Sequence, residues 1–265
     1  MKQNILVTGA SSGFGLLIAN KLHQNGYNVI GTSRNPEKYA AKFPFKMIAL
    51  DLDSEESINS FSERLFKEIP KLDTLVNNAG FLVSGIAEET PIELGRQQLE
   101  TNFWGTIKVT NAILPHLRKQ KFGRIITVGS IIGLVSFPNS AYYAASKHAL
   151  EGYFKSLRYE LDEFNISVAM IEPSAFKTSI LDNSSSPSNK IQDYNSLRSK
   201  IENFTNELVK SAEDPIIVAE KVLKVVQTDK PKFRNIVGKG TSVMINLQHF
   251  AYGILEKNVL KQLNK

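Results

Sequence analysis

The chain has 265 residues, 42% of them hydrophobic, with a formal net charge of +6 and no cysteine. That size suits one α/β core better than two small ones, and the absence of cysteine excludes disulfides, thiolate metal sites and cysteine nucleophiles. The basic residues form no polybasic tract, so the surplus reads as a solvated surface compatible with an anionic cofactor, and not as a nucleic-acid or membrane interface.

Met1 to Gly9 runs straight into a strand, too short an apolar stretch for a signal-peptide core. No stretch is long and apolar enough to span a bilayer, and a cytoplasmic address is expected. The first strand, Ile5-Leu6-Val7, is followed by Thr8-Gly9-Ala10-Ser11-Ser12-Gly13-Phe14-Gly15 and then by Leu16, Ile18, Ala19 and Leu22 at helical spacing. Glycines allow a tight turn and close backbone approach to a pyrophosphate. The helix start adds unpaired N–H groups and a positive dipole end. The second strand, Tyr27 to Ile30, leads to Ser33-Arg34. In a dinucleotide fold this position, about 20 residues past the glycines, meets the adenosine ribose. An acid there would hold a 2′-hydroxyl, whereas the planar fork of Arg34 suits a 2′-phosphate.

Met47 to Leu50 and Thr74 to Val76 are the third and fourth strands, separated by a helix carrying Ile58, Phe61, Leu65, Phe66 and Ile69. Asn102 falls inside a long predicted helix, where asparagine is unfavourable by propensity. It reads either as a satisfied buried polar group or as part of a proton path. Ile125 to Val128 is the fifth strand, and Ser130 follows its carboxyl end, placed to hold a substrate oxygen. Tyr143 and Lys147 lie four apart on a helix and share a face, with Tyr142 turned away. A neighbouring ammonium lowers a phenol's pKa from near 10, which would make Tyr143 an acid/base toward an alcohol or carbonyl oxygen. Ser167 to Ile171 is the sixth strand. Residues from about 178 to 212, with the polar run Ser184 to Asn189, are expected to form a substrate loop or lid. A helical stripe of Val243, Leu247, Phe250, Ile254 and Leu255 is expected to pack on its own domain or a second subunit in preference to a membrane. Near-continuous apolar strands alternating with helices predict a single Rossmann-type α/β domain over residues 1–265, a doubly wound parallel sheet with helices on both faces.

Taken together, in order and spacing, these motifs resemble the classical short-chain dehydrogenase/reductase family over nearly the whole chain. Its glycine motif is Thr8 to Gly15, its Asn-Asn-Ala-Gly motif is Asn77-Asn78-Ala79-Gly80, and its Tyr-x-x-x-Lys motif is Tyr143 to Lys147, with Ser130 at the usual distance before it. The resemblance implies that Tyr143 is the acid/base, that Lys147 lowers its pKa and holds the nicotinamide ribose, and that Ser130 binds and polarises the substrate oxygen. Asn102 would order the water that links Lys147 to solvent. For the cofactor, the resemblance implies Gly9, Ser11, Ser12, Gly13, Phe14 and Gly15 around the pyrophosphate, and Arg34 on the 2′-phosphate of NADP(H). It places Asp51 and Leu52 on the adenine, Asn78, Ala79 and Gly80 beside the adenosine, and Pro173 and Thr178 near the nicotinamide. Ser174 departs from the family's Pro-Gly turn. A finer likeness, carried by Thr32 to Glu37 and the loop plus helix after Thr178, is to hydroxysteroid, retinol and related carbonyl reductases. It implies an apolar small-molecule alcohol or carbonyl substrate, with Phe81, Ile131, Val135, Phe137 and Phe176 as candidate lining, and a homodimer or homotetramer. No metal site is expected. The competing reading is a non-enzymatic NADP(H)-binding redox sensor, against which the complete set of Ser130, Tyr143, Lys147 and Asn102 argues.

Overall fold

The computed structural model describes residues 2–39, 41–176, 184–210 and 212–263. Its strands are β1 (Asn4–Val7), β2 (Asn28–Ser33), β3 (Lys46–Ala49), β4 (Thr74–Asn77), β5 (Gly123–Val128), β6 (Ile166–Pro173) and β7 (Arg234–Val237). They form one parallel sheet in the order β3-β2-β1-β4-β5-β6-β7. The α-helices among the described residues are α1 (Gly13–Gln24), α2 (Glu55–Asn59), α3 (Phe61–Glu68), α4 (Ile92–Leu99), α5 (Thr106–Gln120), α6 (Ala141–Glu160), α7 (Asn195–Lys210), α8 (Ile216–Gln227), α9 (Thr241–Phe250) and α10 (Tyr252–Leu263).

Successive strand residues point to opposite faces, and both faces are covered. Leu6, Leu75, Ile125, Val168 and Met170 enter one core with Phe61 and Leu65 of α3, Ile113 and Leu117 of α5, and Phe154 of α6. Ile5, Val7, Val76, Ile126, Ala169 and Ile171 enter the other with Ile18 and Leu22 of α1 and Val218 and Val222 of α8. This two-sided burial is why the strands read as unbroken apolar runs. The strand order reverses between β1 and β4, so the crevice of this doubly wound sheet opens at their carboxyl ends, Val7 and Asn77.

Six strands stand where the apolar runs predict them; β7 does not come from such a run. Among the described residues it pairs with β6 alone, and its first two residues are polar because they bond inward. Arg234 donates to Glu172, and Asn235 donates to the Met170 carbonyl. The long helix expected through Asn102 is also divided: α4 passes through a π-helical turn, Glu100–Gly105, into α5. The C-terminal stripe splits as well. Leu247 and Leu255 pack with Ile131, Leu134 and Val135, whereas Val243, Phe250 and Ile254 are exposed. Of the expected lid, residues 184–210 are described. Ser185 N donates to the Leu82 carbonyl, the Ser185 carbonyl accepts from Ser84 N, and α7 follows. No described helix is long and apolar enough to cross a membrane.

Candidate active site

The turn after β1 carries two glycines with left-handed backbone, Gly9 (φ +65°) and Gly13 (φ +52°), which a side chain would strain. Gly15 has a different reason: a Cβ there would stand 2.1 Å from the Gly9 carbonyl and 2.4 Å from Asn78 Nδ2. Only glycine lets α1 start this close under the loop. The first turn of α1 holds no acidic residue, and Ser12 makes no side-chain cap. Backbone N–H groups and the dipole's positive end therefore remain for an anion. The Asn-Asn-Ala-Gly segment is clamped to the same loop. Thr8 Oγ1 accepts from Asn78 N at 2.9 Å and Ala79 N at 3.0 Å, and Asn78 Nδ2 donates to the Thr8 carbonyl at 3.0 Å. Asn78 is thus spent on holding the two strand ends together, and Ala79 and Gly80 present backbone to the cleft.

One cleft of about 1320 Å³ runs across these carboxyl ends. It gathers Gly9, Ser11, Ser12, Gly13, Phe14, Arg34, Asp51, Leu52, Asn78, Ala79, Gly80, Ser130, Tyr143, Lys147 and Pro173. Arg34 is exposed at its edge and pairs with no carboxylate among the described residues. Beside it, Ser33 Oγ is buried without a hydrogen-bond partner. The phosphate cradle, the uncapped helix start, an unpaired arginine and an orphaned hydroxyl fit the pyrophosphate and adenosine end of a dinucleotide. Gly15 and Asn102 sit behind the wall instead of in it. Thr178 lies outside the described residues.

At the other end of the cleft, α6 carries Tyr143 and Lys147 on one face. Tyr142 points elsewhere, as its ring fills the space over Gly95, where a Cβ would meet it at 2.4 Å. Lys147 is buried, donates from Nζ to the Val128 carbonyl at 3.1 Å and lies 5.6 Å over the Tyr143 ring centroid. Ser130 Oγ accepts from Ile132 N at 3.1 Å, which fixes the serine at the end of β5, in the cleft with the Tyr143 phenol. Burial pushes the phenol up to about 12, with the Ser130 hydroxyl opposing. Burial pushes Lys147 down to about 8, with the Glu151 carboxylate opposing. The lowered phenol expected from a nearby ammonium is therefore outweighed by desolvation. At neutral pH the phenol holds its proton and is arranged as a donor.

Asn102 is buried in the π-helical turn. Its Oδ1 accepts from Phe81 N at 3.0 Å, and its Nδ2 donates to the Phe81 carbonyl at 2.9 Å and to Ser146 Oγ at 3.4 Å. These bonds tie the chain beside Gly80 to α6 one residue before Lys147. Of the apolar lining expected from sequence, Phe81, Ile131, Phe137 and Phe176 face the cleft, and Val135 is buried in the core beneath α9 and α10. Sequence reasoning missed the rest of the apolar wall: Phe204, Leu208 and Val209 of α7, Met244 of α9, and Leu255 and Val259 of α10. Their helical spacing was visible, but which face would meet the cleft was not.

A glycine cradle at the switch point of a doubly wound sheet, joined in one cleft to a serine, tyrosine and lysine, defines a nucleotide-binding oxidoreductase. The family model for short chain dehydrogenases matches residues 3–189. The chain is 40% identical over 259 residues to the uncharacterized oxidoreductase YusZ of Bacillus subtilis (strain 168), covering 92% of each chain. It is 34% identical over 252 residues to a 3-ketodihydrosphingosine reductase of Bacteroides thetaiotaomicron, covering 91% of this chain and 90% of that one. A solved short-chain dehydrogenase from Streptomyces avermitilis superposes with a TM-score of 0.84 at 30% identity, over 100% of this chain and 97% of that one. ElxO with NADP bound superposes at 0.76 with 26% identity, over 92% and 100%. A short chain dehydrogenase/reductase from Burkholderia phymatum in complex with NAD superposes at 0.81 with 19% identity, over 96% and 95%, which speaks to the fold alone. The chain belongs to the classical short-chain dehydrogenase/reductase family.

Proposed function

We propose that this enzyme is an NADP(H)-dependent reductase of a ketone or aldehyde on an apolar small molecule, running the reverse alcohol oxidation through the same groups. The observation that carries the reading is the half-buried Tyr143 phenol, with Ser130 beside it in the cleft and the Lys147 ammonium over its ring. When bound, the nicotinamide supplies the hydride that the carbonyl carbon receives. The Ser130 hydroxyl holds the carbonyl oxygen. Tyr143 Oη gives that oxygen its proton, and the Lys147 ammonium stabilises the phenolate left behind. Asn102 holds the wall behind Gly80 against α6. Residues 1–265 act in this reading as one nucleotide-binding domain.

The preference for NADP(H) rests on Arg34, and ElxO, the relative carrying NADP, supports it. The apolar substrate rests on Phe81, Phe137, Phe204, Leu208, Met244 and Leu255 along the cleft. The relative named as a 3-ketodihydrosphingosine reductase points to the same class, a carbonyl on a long apolar chain. The reading includes a cytoplasmic homodimer or homotetramer, with exposed Trp104 and Tyr159 beside α5 and α6 as contact material. The test is NADPH oxidation with long-chain ketones and aldehydes by wild type and Tyr143→Phe. Turnover by the wild type and a loss of about a thousandfold or more in the variant, with NADPH affinity unchanged, are expected. Equal turnover by Tyr143→Phe would remove the phenol from the chemistry. NADPH binding with no turnover on any carbonyl would favour the redox-sensor reading.

A further inference from the structure

Beneath the catalytic groups lies a second polar layer that the reaction as derived does not use. Glu151 stands one turn after Lys147 on α6, so its side chain follows on the same face. Glu151 is 8% exposed and Glu172, on β6, is 0% exposed. Arg234 of β7 bridges them, donating from Nη2 to Glu151 at 3.1 Å and from Nε to Glu172 at 3.2 Å, and Asn235 N donates to Glu172 at 2.9 Å. The Glu151 carboxylate lies under the turn that carries Ser130: a side chain at Gly129 would meet Glu151 Oε1 at 3.6 Å. That turn also begins with Val128, whose carbonyl takes the Lys147 ammonium. A Cβ at Gly133 would meet the Lys147 carbonyl at 2.9 Å and Glu151 Cγ at 3.3 Å, so α6 is pressed against this turn over a full helical repeat.

The Glu151 carboxylate is thus buried one helical turn below Lys147, against the turn whose Val128 carbonyl takes the ammonium. We infer that Glu151, held in place by Arg234 and Glu172, is a positioning residue that keeps Lys147 in its ammonium form beneath Tyr143. This deepens the proposed reaction and rests on it. The charged and titratable groups facing the pair are Tyr143 and His148 on α6, Glu172 on β6 and Arg234 on β7, with the Ser130 hydroxyl at the end of β5. Among them Glu151 opposes the desolvation that draws Lys147 downward. Burial pushes the Glu151 carboxyl up and Arg234 opposes that rise, while Glu172 is pushed up to about 8 by burial and by Glu151.

The experiment follows the Lys147 ammonium directly, without cofactor or turnover. Protein labelled with 13Cε-lysine is titrated by NMR, with the Lys147 resonance assigned by its loss in Lys147→Arg. In Glu151→Gln, which keeps the side chain's volume, the Lys147 midpoint falls by about one pH unit or more. In Glu151→Asp, which keeps the charge, it falls by less than half as much. Arg234→Gln lets Glu151 take up a proton and lowers the Lys147 midpoint as well, which keeps the inference testable if Glu151→Gln does not fold. The alkaline limb of the kcat/KM profile moves down by the same amount as the midpoint. An unchanged Lys147 midpoint in a folded Glu151→Gln or Arg234→Gln protein overturns the inference, as does an equal fall in Glu151→Asp. Failure of the proposed reaction would appear elsewhere, as turnover by Tyr143→Phe or no turnover by the wild type.

Discussion

Arg34 follows the end of β2, where an acid would bind a ribose diol, and it stands exposed at the cleft with no carboxylate paired to it among the described residues. A hydrogen bond to a charged group is worth about 1.5–3 kcal/mol, which corresponds to an affinity ratio of about tenfold to hundredfold. Arg34→Asp should therefore raise the NADPH dissociation constant by about that factor and leave that for NADH within about threefold, measured by calorimetric titration. Equal losses for both nucleotides would assign Arg34 a structural role. Its place at the cleft was legible in the sequence because that place depends only on distance from the glycine loop. Tyr143 and Lys147 were legible for the same reason, four residues apart on one helix. Glu151 shares that helix but gains its meaning from Glu172 and Arg234, which are 21 and 83 residues away in the chain. No local pattern marks it. The pKa of Tyr143 was misjudged on the same ground, since burial is a property of the folded cleft.

Elements follow the same division. β1 to β6 were readable because burial on both faces demands unbroken apolar runs. β7 hides behind Arg234 and Asn235, whose partners come from β6. The π-helical turn at Asn102 hides within a continuous helical pattern, because one extra residue per turn leaves propensity unchanged. α7 was legible as the helix after a polar loop, but its attachment was not. That attachment is concentrated at Glu89, which pairs with Arg198 of α7 and accepts from Ile191 N at 2.6 Å, with Tyr194 donating to Glu88 at 2.6 Å. Glu89 is 8% exposed, and removing one partner of a covered ion pair leaves the other charge without compensation. Here the loss falls on a local segment whose opposite side lines the apolar wall. Glu89→Ala should speed proteolytic cleavage within residues 184–210 by about tenfold or more. It should also raise KM for a long-chain substrate severalfold while NADPH affinity stays unchanged. Unaltered cleavage would mean that α7 is held by its apolar contacts alone.

At the scale of the whole molecule, the buried cluster at β6, β7 and α6 makes stability depend on pH. Glu172 is pushed up to about 8 from an ordinary value of 4.5 by burial and by the Glu151 carboxylate, against Arg234 and Asn235. A carboxyl raised in the folded state binds its proton more tightly there than in the unfolded chain. Its contribution is complete below 4.5 and is lost progressively as pH rises through about 8. Lys147 acts in the next window. It is lowered to about 8 from 10.5, so its burial penalty is full below 8 and fades between 8 and 10.5. Stability should thus fall from pH 5 to 8 and recover in part between 8 and 10.5. Thermal unfolding across the falling range should show the midpoint dropping by several degrees, since about 1 kcal/mol moves a chain of this size by about 2–4 °C. Glu172→Gln mimics the protonated carboxyl at every pH, so it removes at least half of the decline and unfolds higher than wild type at pH 8. A decline of unchanged slope in Glu172→Gln would place the titrating group outside this cluster and leave Arg234 balancing two ionised carboxylates throughout. The layer beneath Lys147 then sets the stability minimum near pH 8, because the Glu172 loss is complete there and the Lys147 penalty has only begun to fade.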